Sequence, residues 1–243
     1  MRIIKLDAID STNSYLRRLC NAGDVEDCTV AVANYQTEGR GQMGTQWNSQ
    51  ASKNLMVSVF KDVSYLHLEH HFFISIVISL SILKALQGFN IKNLKVKWPN
   101  DILSENKKIG GILIENVIKK TKMNASIIGF GINVNQTKFH HLPQASSLRL
   151  ISGRVFDVDE ILQAILSRLE HHFELLEQRQ FKALRTAYES HLFRKNKPST
   201  FRDNDGSLFS GYVKGVSNSG NLQVLVEDGV IREFDMKAIA LLY

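Results

Sequence analysis

Gly39-Arg40-Gly41-Gln42-Met43-Gly44 is the stretch on which the fold assignment depends, because its glycines have the G-x-G-x-x-G spacing of a dinucleotide-binding loop. That spacing indicates a dinucleotide site only where the loop follows a strand and opens a helix. Residues 28–35 before it are β-branched and aromatic and predict a strand. After it the chain is polar as far as Lys53, and residues 54–60 predict a second strand. The loop therefore joins two strands, and neither a dinucleotide fold nor a Walker loop fits.

The sequence around the loop predicts an α+β fold, with helices packed on a mixed or antiparallel sheet. Asp10-Ser11-Thr12-Asn13 offers N-cap side chains to a first helix. Residues 67–87 predict a buried helix that ends near Gly88, and residues 93–98 predict a strand that Pro99 ends. A predicted hairpin follows at 108–118 and 125–135, and helical apolar stripes run from Asp157 to Leu192.

From about Phe193 the sequence changes to short β-type runs that are separated by turn signals. The predicted strands are 207–215, 221–227 and 230–235, and the turns between and before them are Asn204-Asp205-Gly206, Asn218-Ser219-Gly220 and Asp228-Gly229. We therefore expect two domains, a main domain over 1–192 and a small C-terminal β-barrel over 193–243.

Composition narrows the class of protein. The 243 residues are 44% hydrophobic, which favours an ample core over disorder. The net charge of +6 and pI near 9.3 allow a nucleic-acid partner. The cations are dispersed, however, and the densest cluster, Lys119-Lys120-Thr121-Lys122, is typical of a solvated turn. A nucleotide pocket or an acidic protein partner suits this charge equally well.

Several features argue against secretion, a membrane span and a zinc site. Two cysteines, Cys20 and Cys28, make no disulfide framework and favour a reducing cytoplasm. The apolar stretch 72–86 is interrupted by serines and Lys84 and is shorter than a membrane span. The N-terminus lacks the layout of a signal peptide. The histidine pairs have no pattern of cysteines or acidic residues beside them, so we expect no structural zinc.

Five segments together resemble the biotin protein ligase family in order and spacing. They are Ser11-Thr12-Asn13, Gln36 with Gly39-Arg40-Gly41-x-x-Gly44-x-x-Trp47, Lys97-Trp98-Pro99-Asn100-Asp101, Lys108 to Glu115, and Gly129-Phe130-Gly131-Ile132-Asn133. The resemblance spans essentially the whole chain. It implies the catalytic fold of biotin and lipoate ligases, which is similar to that of class II aminoacyl-tRNA synthetases, followed by an SH3-like barrel.

The resemblance implies an activity. A biotin protein ligase uses ATP to convert biotin to biotinyl-5′-AMP and then transfers biotin to a lysine of a biotin carboxyl carrier protein. ATP and biotin are the expected substrates, with Mg²⁺ and without a tightly bound prosthetic group. Two alternatives remain: a lipoate or octanoyl ligase or transferase of the same fold, and a non-catalytic binding module that has kept the architecture.

The resemblance also implies site residues. Arg40 and Lys108 are the expected catalytic cations, since a carboxylate and a phosphate must be brought together, and Asp101 is the candidate Mg²⁺ ligand. The expected biotin-binding residues are Ser11, Thr12, Asn13, Gln36, Gly39, Arg40, Gly41, Gln42, Lys108, Gly111, Gly129 and Gly131. The residues expected to bind ATP and the adenylate are Arg40, Gln42, Met43, Trp47, Lys97, Asn100, Asp101, Lys108 and Asn133.

Taken singly, these residues have structural alternatives. Residues 11–13 also fit the role of a helix cap, and Arg40 fits that of a solvated loop residue. Lys97 and Lys108 fit positions that face outward from a strand. Asn100-Asp101 is also a turn pair, and Gly110-Gly111 also marks a bulge. Their joint occurrence favours the site.

The chain departs from the resembled family in two places. Gln42 stands where many relatives have an arginine associated with retention of the adenylate, so we expect weaker retention and a smaller effect from Gln42→Ala than from Arg40→Ala. The sequence starts at the catalytic segment, without a winged helix before it, so we expect no sequence-specific DNA binding. We also expect no membrane association, and a monomer or a homodimer.

Overall fold

The computed structural model describes residues 1–140 and 142–243 and, at Lys119, the backbone. Within these residues, seven strands form one mixed sheet. In chain order they are β1 (Arg2–Ile9), β2 (Thr29–Gln36), β3 (Leu55–Asp62), β4 (Leu94–Lys97), β5 (Asp101–Ser104), β6 (Lys107–Lys119) and β7 (Lys122–Ile132). Their order in the sheet is β1-β2-β3-β7-β6-β5-β4. The pair β1 and β2 is parallel, and the other neighbouring pairs are antiparallel.

The helices are distributed over the two faces of this sheet. In the described part of the chain they are α1 (Thr12–Ala22), α2 (Phe72–Gly88), α3 (Leu148–Ser152), α4 (Val158–Glu177) and α5 (Phe181–Ser190). On one face α2 packs against α4 and α5 over the main core. On the other face α1 contacts β2, β3 and β7 and buries Leu16 with Ala31 and Ile127. Because α1 covers only this part of the second face, the rest of that face is open for a site.

The helix α2 is apolar on nearly every side and therefore lies in the core. By length and composition alone, the segment Leu68–Gly88 is apolar enough to cross a membrane, although the shorter stretch 72–86 did not predict a span. Its most apolar window is 72% buried inside the fold, as expected for the core helix of a globular domain.

The helix α4 starts after Asp157, where the predicted helical stripes begin. Asp157 precedes the helix in an extended conformation, and its Oδ1 accepts from the backbone N–H groups of Asp159 (2.7 Å) and Glu160 (3.3 Å). The predicted helical stripes between Asp157 and Leu192 lie on two helices, α4 and α5. The helix α4 ends at Glu177, Arg179 has a left-handed backbone conformation with a φ of 56°, and α5 begins at Phe181.

A second, antiparallel sheet forms from the C-terminal residues. Its strands are β8 (Pro198–Asp203), β9 (Leu208–Val216), β10 (Leu222–Val226), β11 (Ile231–Phe234) and β12 (Ile239–Leu242), in the order β11-β10-β9-β8-β12. The predicted turns are confirmed, since Gly206, Gly220 and Gly229 all have positive φ angles of 77–89°. The indole N–H of Trp98 donates to the carbonyl of Gly220 at 2.8 Å and ties this sheet to the first.

Short elements account for the differences from the sequence prediction. The four-residue strand β5 follows directly after the Pro99 turn, where the sequence suggested only a turn. The strands β8 and β12 and the short helix α3 were not predicted either. The strand β7 begins at Lys122 and ends at Ile132, earlier at both ends than the predicted 125–135. Such elements have few residues from which to show a pattern, and they form because a long neighbour pairs with them.

Candidate functional site

A cavity of about 370 Å³ opens on the second face of the sheet, between the glycine-rich loop, the start of α1 and the C-terminal sheet. Most of the residues predicted for the site line it. They are Ser11, Thr12, Asn13, Gln36, Arg40, Gly41, Gln42, Met43, Trp47, Lys97, Asn100, Asp101, Lys108, Gly111, Gly129 and Gly131. Residues far apart in the sequence are thus collected around one space whose size is that of a small-molecule site.

Two predicted residues stand outside this lining. The amide of Asn133 is buried and donates to the carbonyl of Ser146 at 3.0 Å, so Asn133 supports the segment beside Lys108 and does not face the cavity. Gly39 accepts the backbone N–H of Trp47 at 2.9 Å, and a β-carbon there would collide with the Trp47 carbonyl. Gly39 is therefore required by the closure of the loop, and the structure gives it no direct contact with the cavity.

The glycine-rich loop pairs with itself between the two strands that flank it. Arg40 and Gln46 form an antiparallel bridge, and the N–H of Gly41 donates to the carbonyl of Thr45 at 2.7 Å. At the tip, Met43 has a φ of 53° and is 69% exposed. This hairpin-like closure returns the chain toward the sheet and places Trp47 over the strands.

The strand register aligns a row of residues beneath the cavity. Lys97 pairs with Asp101, Asp101 with Gly111, Gly111 with Gly131, and Gly131 with Met56. Directly paired residues of antiparallel strands present their side chains on the same face. Charged groups therefore stand at one end of the row, and two glycines leave the middle open.

A β-bulge turns Lys108 toward this row. In β6, strict alternation from Gly111 would place residue 109 on the cavity face and residue 108 on the core face. Instead Gly110 pairs with Ile102 and Lys108 with Leu103, so Ile109 is the extra residue of a bulge. Ile109 is fully buried in the main core, and Lys108 joins the cavity face. The bulge that Gly110-Gly111 suggested is thus present, and it serves the site.

Asp101 lies between two lysines. Its Oδ1 is 2.5 Å from Nζ of Lys108, and its Oδ2 is 3.9 Å from Nζ of Lys97. Burial lowers the pKa of Lys97 below the usual lysine value; Asp101 opposes this shift, and the nearby charge of Lys108 adds to it. The Lys97 ammonium also lies 4.7 Å from the ring centroid of Tyr243. The cavity therefore has a cationic end suited to an anionic group.

Trp47 covers the glycines of the row. A β-carbon on Gly131 would lie 2.6 Å from Cε2 of Trp47, and one on Gly111 would lie 3.3 Å from Cζ3. The Nζ of Lys108 is 6.0 Å from the indole centroid. Among the described residues the indole N–H has no hydrogen-bond partner. From the sequence we expected glycines that make room for a ligand, whereas here the space above Gly131 is taken by Trp47 and that above Gly129 by Asn13.

The other end of the cavity is neutral and polar. The backbone N–H and the hydroxyl of Thr12 both donate to Oε1 of Gln36, at 2.8 and 3.0 Å. Ser58 lies 2.7 Å from the Thr12 hydroxyl and 2.5 Å from Oδ1 of Asn13. Ser11 precedes α1 in an extended conformation but its side chain makes no cap hydrogen bond. The helix-cap explanation of residues 11–13 is therefore wrong for the Ser11 hydroxyl, and these three buried residues face the cavity.

An ion pair links this polar end to the loop. Nη2 of Arg40 lies 3.1 Å from Oε2 of Glu115, and the same oxygen accepts from Nδ2 of Asn13 at 2.8 Å. Neither Ser58 nor Glu115 was predicted from the sequence as a site residue. Ser58 is a polar residue within the otherwise apolar run 55–60, and Glu115 ends the segment that starts at Lys108. These two sequence features could have identified Ser58 and Glu115 as site residues.

The arrangement does not offer a preformed site for a metal cation. Among the described residues that line the cavity, Asp101 is the one carboxylate, and both of its oxygens face lysine ammonium groups. No group of three or more His, Cys, Asp or Glu side chains in the described part of the chain is placed to hold a metal ion. One histidine of the His140-His141 pair lies outside the described residues.

Comparisons of the sequence with a family model and with curated proteins both find biotin or lipoate ligases. The model of the biotin/lipoate A/B protein ligase family matches residues 6–133. The bifunctional ligase/repressor BirA of Escherichia coli is 29% identical over 233 residues, which cover 93% of this chain and 70% of that protein. The biotin–[acetyl-CoA-carboxylase] ligase of Mycobacterium tuberculosis is 29% identical over 173 residues, covering 68% of this chain and 63% of that protein.

Solved structures are similar over nearly the full length. The biotin protein ligase of Aquifex aeolicus, in complex with biotin and ATP, superposes with a TM-score of 0.84 and 29% identity, covering 99% of this chain and 98% of the other. The biotin protein ligase of Leishmania major, in complex with biotinyl-5-AMP, has a TM-score of 0.66 at 21% identity and shares the fold.

Proposed function

This chain belongs to the biotin/lipoate A/B protein ligase family, and from its site we infer that it is an ATP-dependent biotin protein ligase. It activates biotin to biotinyl-5′-AMP and transfers the biotinyl group to a lysine of a biotin carboxyl carrier protein. One observation carries this conclusion: a single cavity joins a neutral polar end, at Thr12 and Gln36, to a cationic end, at Lys97 and Lys108. A ligand with an uncharged hydrogen-bonding head and a carboxylate tail matches both ends.

In the first step, a carboxylate oxygen of biotin attacks the α-phosphorus of ATP, and the bond from that phosphorus to the bridging oxygen breaks as pyrophosphate leaves. Two anions must approach each other, so fixed cations lower the barrier. We assign this role to Lys108 and Arg40. Asp101 holds the Lys108 ammonium at the cavity, and Lys97 adds charge on the phosphate side.

In the second step, the acceptor amine attacks the acyl carbon of the mixed anhydride. The new C–N bond forms, the C–O bond to the phosphate breaks, AMP leaves, and the amine releases its proton to solvent. Water would hydrolyse the same anhydride, so the site must exclude it. We assign that role to the glycine-rich loop and to Trp47, which already lies over the sheet.

The remaining assignments are made on the same basis. Ser11, Thr12, Asn13 and Gln36 contact the biotin head, and Asn100, Gln42 and Met43 lie on the adenylate side. Because Asp101 is engaged by two lysines, we propose that Mg²⁺ enters with the phosphates of ATP and is not a resident metal of the protein.

Further proposals concern the acceptor, the domain boundary, the cellular compartment and the oligomeric state. The acceptor is the carrier protein or domain of a biotin-dependent carboxylase. We place the boundary between the catalytic domain, 1–192, and the SH3-like barrel, 193–243. The free Cys20 and Cys28 suit a reducing cytoplasm. The protein functions as a monomer or a homodimer.

The test is ATP–pyrophosphate exchange with biotin, lipoate or octanoate offered in turn, followed by addition of a carrier domain. We expect exchange with biotin alone, and incorporation of biotin into the carrier. Lys108→Ala removes the ammonium nearest Asp101 and is expected to lower the exchange rate by about 100-fold. Lys107→Ala is the matched control, because Lys107 is exposed and donates to the carbonyl of Pro143. Exchange that does not depend on biotin, or that depends on lipoate, would refute the assignment.

A further inference from the structure

We propose that Glu115, to which the biotin ligase reaction assigns no role, is a positioning residue that orients Arg40 and the polar end of the cavity at the same time. The inference rests on the proposed function. Its basis is one carboxylate oxygen, Oε2, which contacts both Nη2 of Arg40 (3.1 Å) and Nδ2 of Asn13 (2.8 Å). The loop and the biotin-head residues are therefore joined through a single atom.

The contact with Arg40 limits where a loop cation can go. The Arg40 side chain is 45% exposed and belongs to a glycine-rich loop, so without a partner it would sample many rotamers. Within the described part of the protein, Glu115 contacts only Nη2 of the guanidinium. The other N–H donors of the guanidinium stay available for a carboxylate or a phosphate. Glu115 thus orients the Arg40 side chain and leaves its other N–H groups able to bind an anion.

The contact with Asn13 fixes which way that amide faces. The carboxylate of Glu115 and the carbonyl of Leu113 are acceptors, so both must face the NH₂ group of Asn13. The Oδ1 of Asn13 then faces Ser58, and Ser58 must donate its hydroxyl hydrogen to it. The acceptor oxygen of Glu115, together with the Leu113 carbonyl, therefore decides the direction of the next hydrogen bond in the network.

The donors and acceptors of Thr12 and Gln36 are fixed in the same way. The backbone N–H of Thr12 can only donate, so Gln36 turns Oε1 toward Thr12 and leaves Nε2 as a donor. The Ser58 hydroxyl donates toward Oδ1 of Asn13 and toward the Thr12 oxygen, so the single hydroxyl hydrogen of Thr12 goes to Oε1 of Gln36. Thr12 then offers a ligand only a lone pair.

The network consequently presents an acceptor at Thr12 beside a donor at Gln36. This is the complement of the N–H and C=O groups of a neutral cyclic urea. If the Asn13 amide were reversed, its NH₂ group would face Ser58, and the Ser58 hydroxyl would lose the Oδ1 acceptor that orients it beside Thr12. We infer that Glu115 keeps the network in this arrangement through an oxygen that accepts the hydrogen bond of Asn13.

Three variants test this inference by exchange kinetics and by calorimetric titration of biotin. Glu115→Leu removes both contacts, and we expect biotin affinity and kcat/KM for ATP each to fall by about tenfold or more. Glu115→Gln keeps a carbonyl oxygen for Asn13 but loses the charge. It should restore biotin affinity to within about threefold of wild type and leave a loss of about fivefold in kcat/KM for ATP. Asp228→Asn, which neutralises a surface carboxylate paired with Arg232, is the matched control and should resemble wild type.

A double-mutant cycle separates positioning from a general structural effect. In the Arg40→Ala background, Glu115→Gln should cause no further loss in kcat/KM for ATP, because the guanidinium that Glu115 orients is already absent. An equal loss in both backgrounds, or wild-type kinetics for Glu115→Gln, would overturn the inference. Failure of the wild-type protein to catalyse biotin-dependent exchange would instead overturn the proposed function.

Discussion

The indole of Trp47 lies against the backbone of Gly131, so closely that a β-carbon on Gly131 would be 2.6 Å from Cε2 of the ring. The contact joins the end of the glycine-rich loop to the central strand beneath the cavity. Gly131 pairs with Gly111 on one side and Met56 on the other, so the ring lies over the middle of the sheet. The absence of a side chain at Gly131 is what permits this position.

Gly131→Ala is expected to displace Trp47 and open the loop. Because solvent exclusion then fails, we expect the rate of biotin transfer to fall by about tenfold or more and the free hydrolysis of the adenylate to rise. Gly88→Ala is the control, since a β-carbon there meets no atom within 4 Å. Carrier biotinylation and AMP release measured together check the prediction, and an unchanged ratio of the two would contradict it.

Arg40→Ala should impair adenylate formation more than Gln42→Ala. Arg40 is held by Glu115 at the cavity and carries a charge, whereas the Gln42 side chain donates only neutral hydrogen bonds. We expect a loss of about 100-fold for Arg40→Ala and less than about fivefold for Gln42→Ala in the exchange rate. Equal and small effects of the two substitutions would be the contrary result.

The activity should depend on the charge of Lys97. Its pKa is lowered mainly by burial, so the ammonium loses its proton at a lower pH than a free lysine does. As the pH rises through that pKa, the positive charge is lost and kcat/KM for ATP should fall. Asp101 raises the pKa of Lys97, so in Asp101→Asn the fall should move to lower pH.

Profiles of kcat/KM for ATP from about pH 7 to about pH 10 measure this change in midpoint. Glu105→Gln, an exposed substitution in the turn between β5 and β6, should leave the midpoint of the fall unchanged. A midpoint in Asp101→Asn that is equal to or higher than that of wild type would contradict the prediction.

His172 should make the fold sensitive to mild acid. Burial lowers its pKa, and its Nδ1 lies 2.9 Å from the carbonyl of Arg168 and 3.0 Å from the Ser81 hydroxyl. Between the folded-state pKa and the unfolded value of 6.5, the unfolded chain binds the proton and the folded chain does not. The free energy of unfolding therefore falls as the pH drops through this window, with a slope for this one proton of at most about 1.4 kcal/mol per pH unit.

Denaturant titrations over this range, on wild type and His172→Gln, measure the effect. The substituted protein should lose part of the acid sensitivity, and His191, whose pKa is also lowered by burial, should account for a further part. His67→Gln changes an exposed histidine that does not act on His172 and serves as the control. Identical slopes of stability against pH for wild type and His172→Gln would refute the assignment to His172.

Long periodic segments were predictable from the sequence because many residues report the same pattern. The core helix α2, the start of α4 at Asp157 and the two strands that flank the glycine-rich loop are confirmed. The strands β5, β8 and β12 were missed, because four to six residues carry too little pattern and these strands depend on a longer partner. Local sequence patterns predict local structure, but they do not predict which distant segments pair as strands.

The sequence alone determined the residue types of the site and their order along the chain: the glycine-rich loop with Arg40, the Lys97–Asp101 segment, and Lys108. Only the tertiary structure decided which of them meet. An extra residue at Ile109 brings Lys108 to Asp101, and folding brings Arg40 to Glu115 across 75 positions of sequence. The physical reason is that strand register sets the face on which each side chain projects, and one bulge reverses that face. Register results from pairing between distant segments, which no single segment specifies.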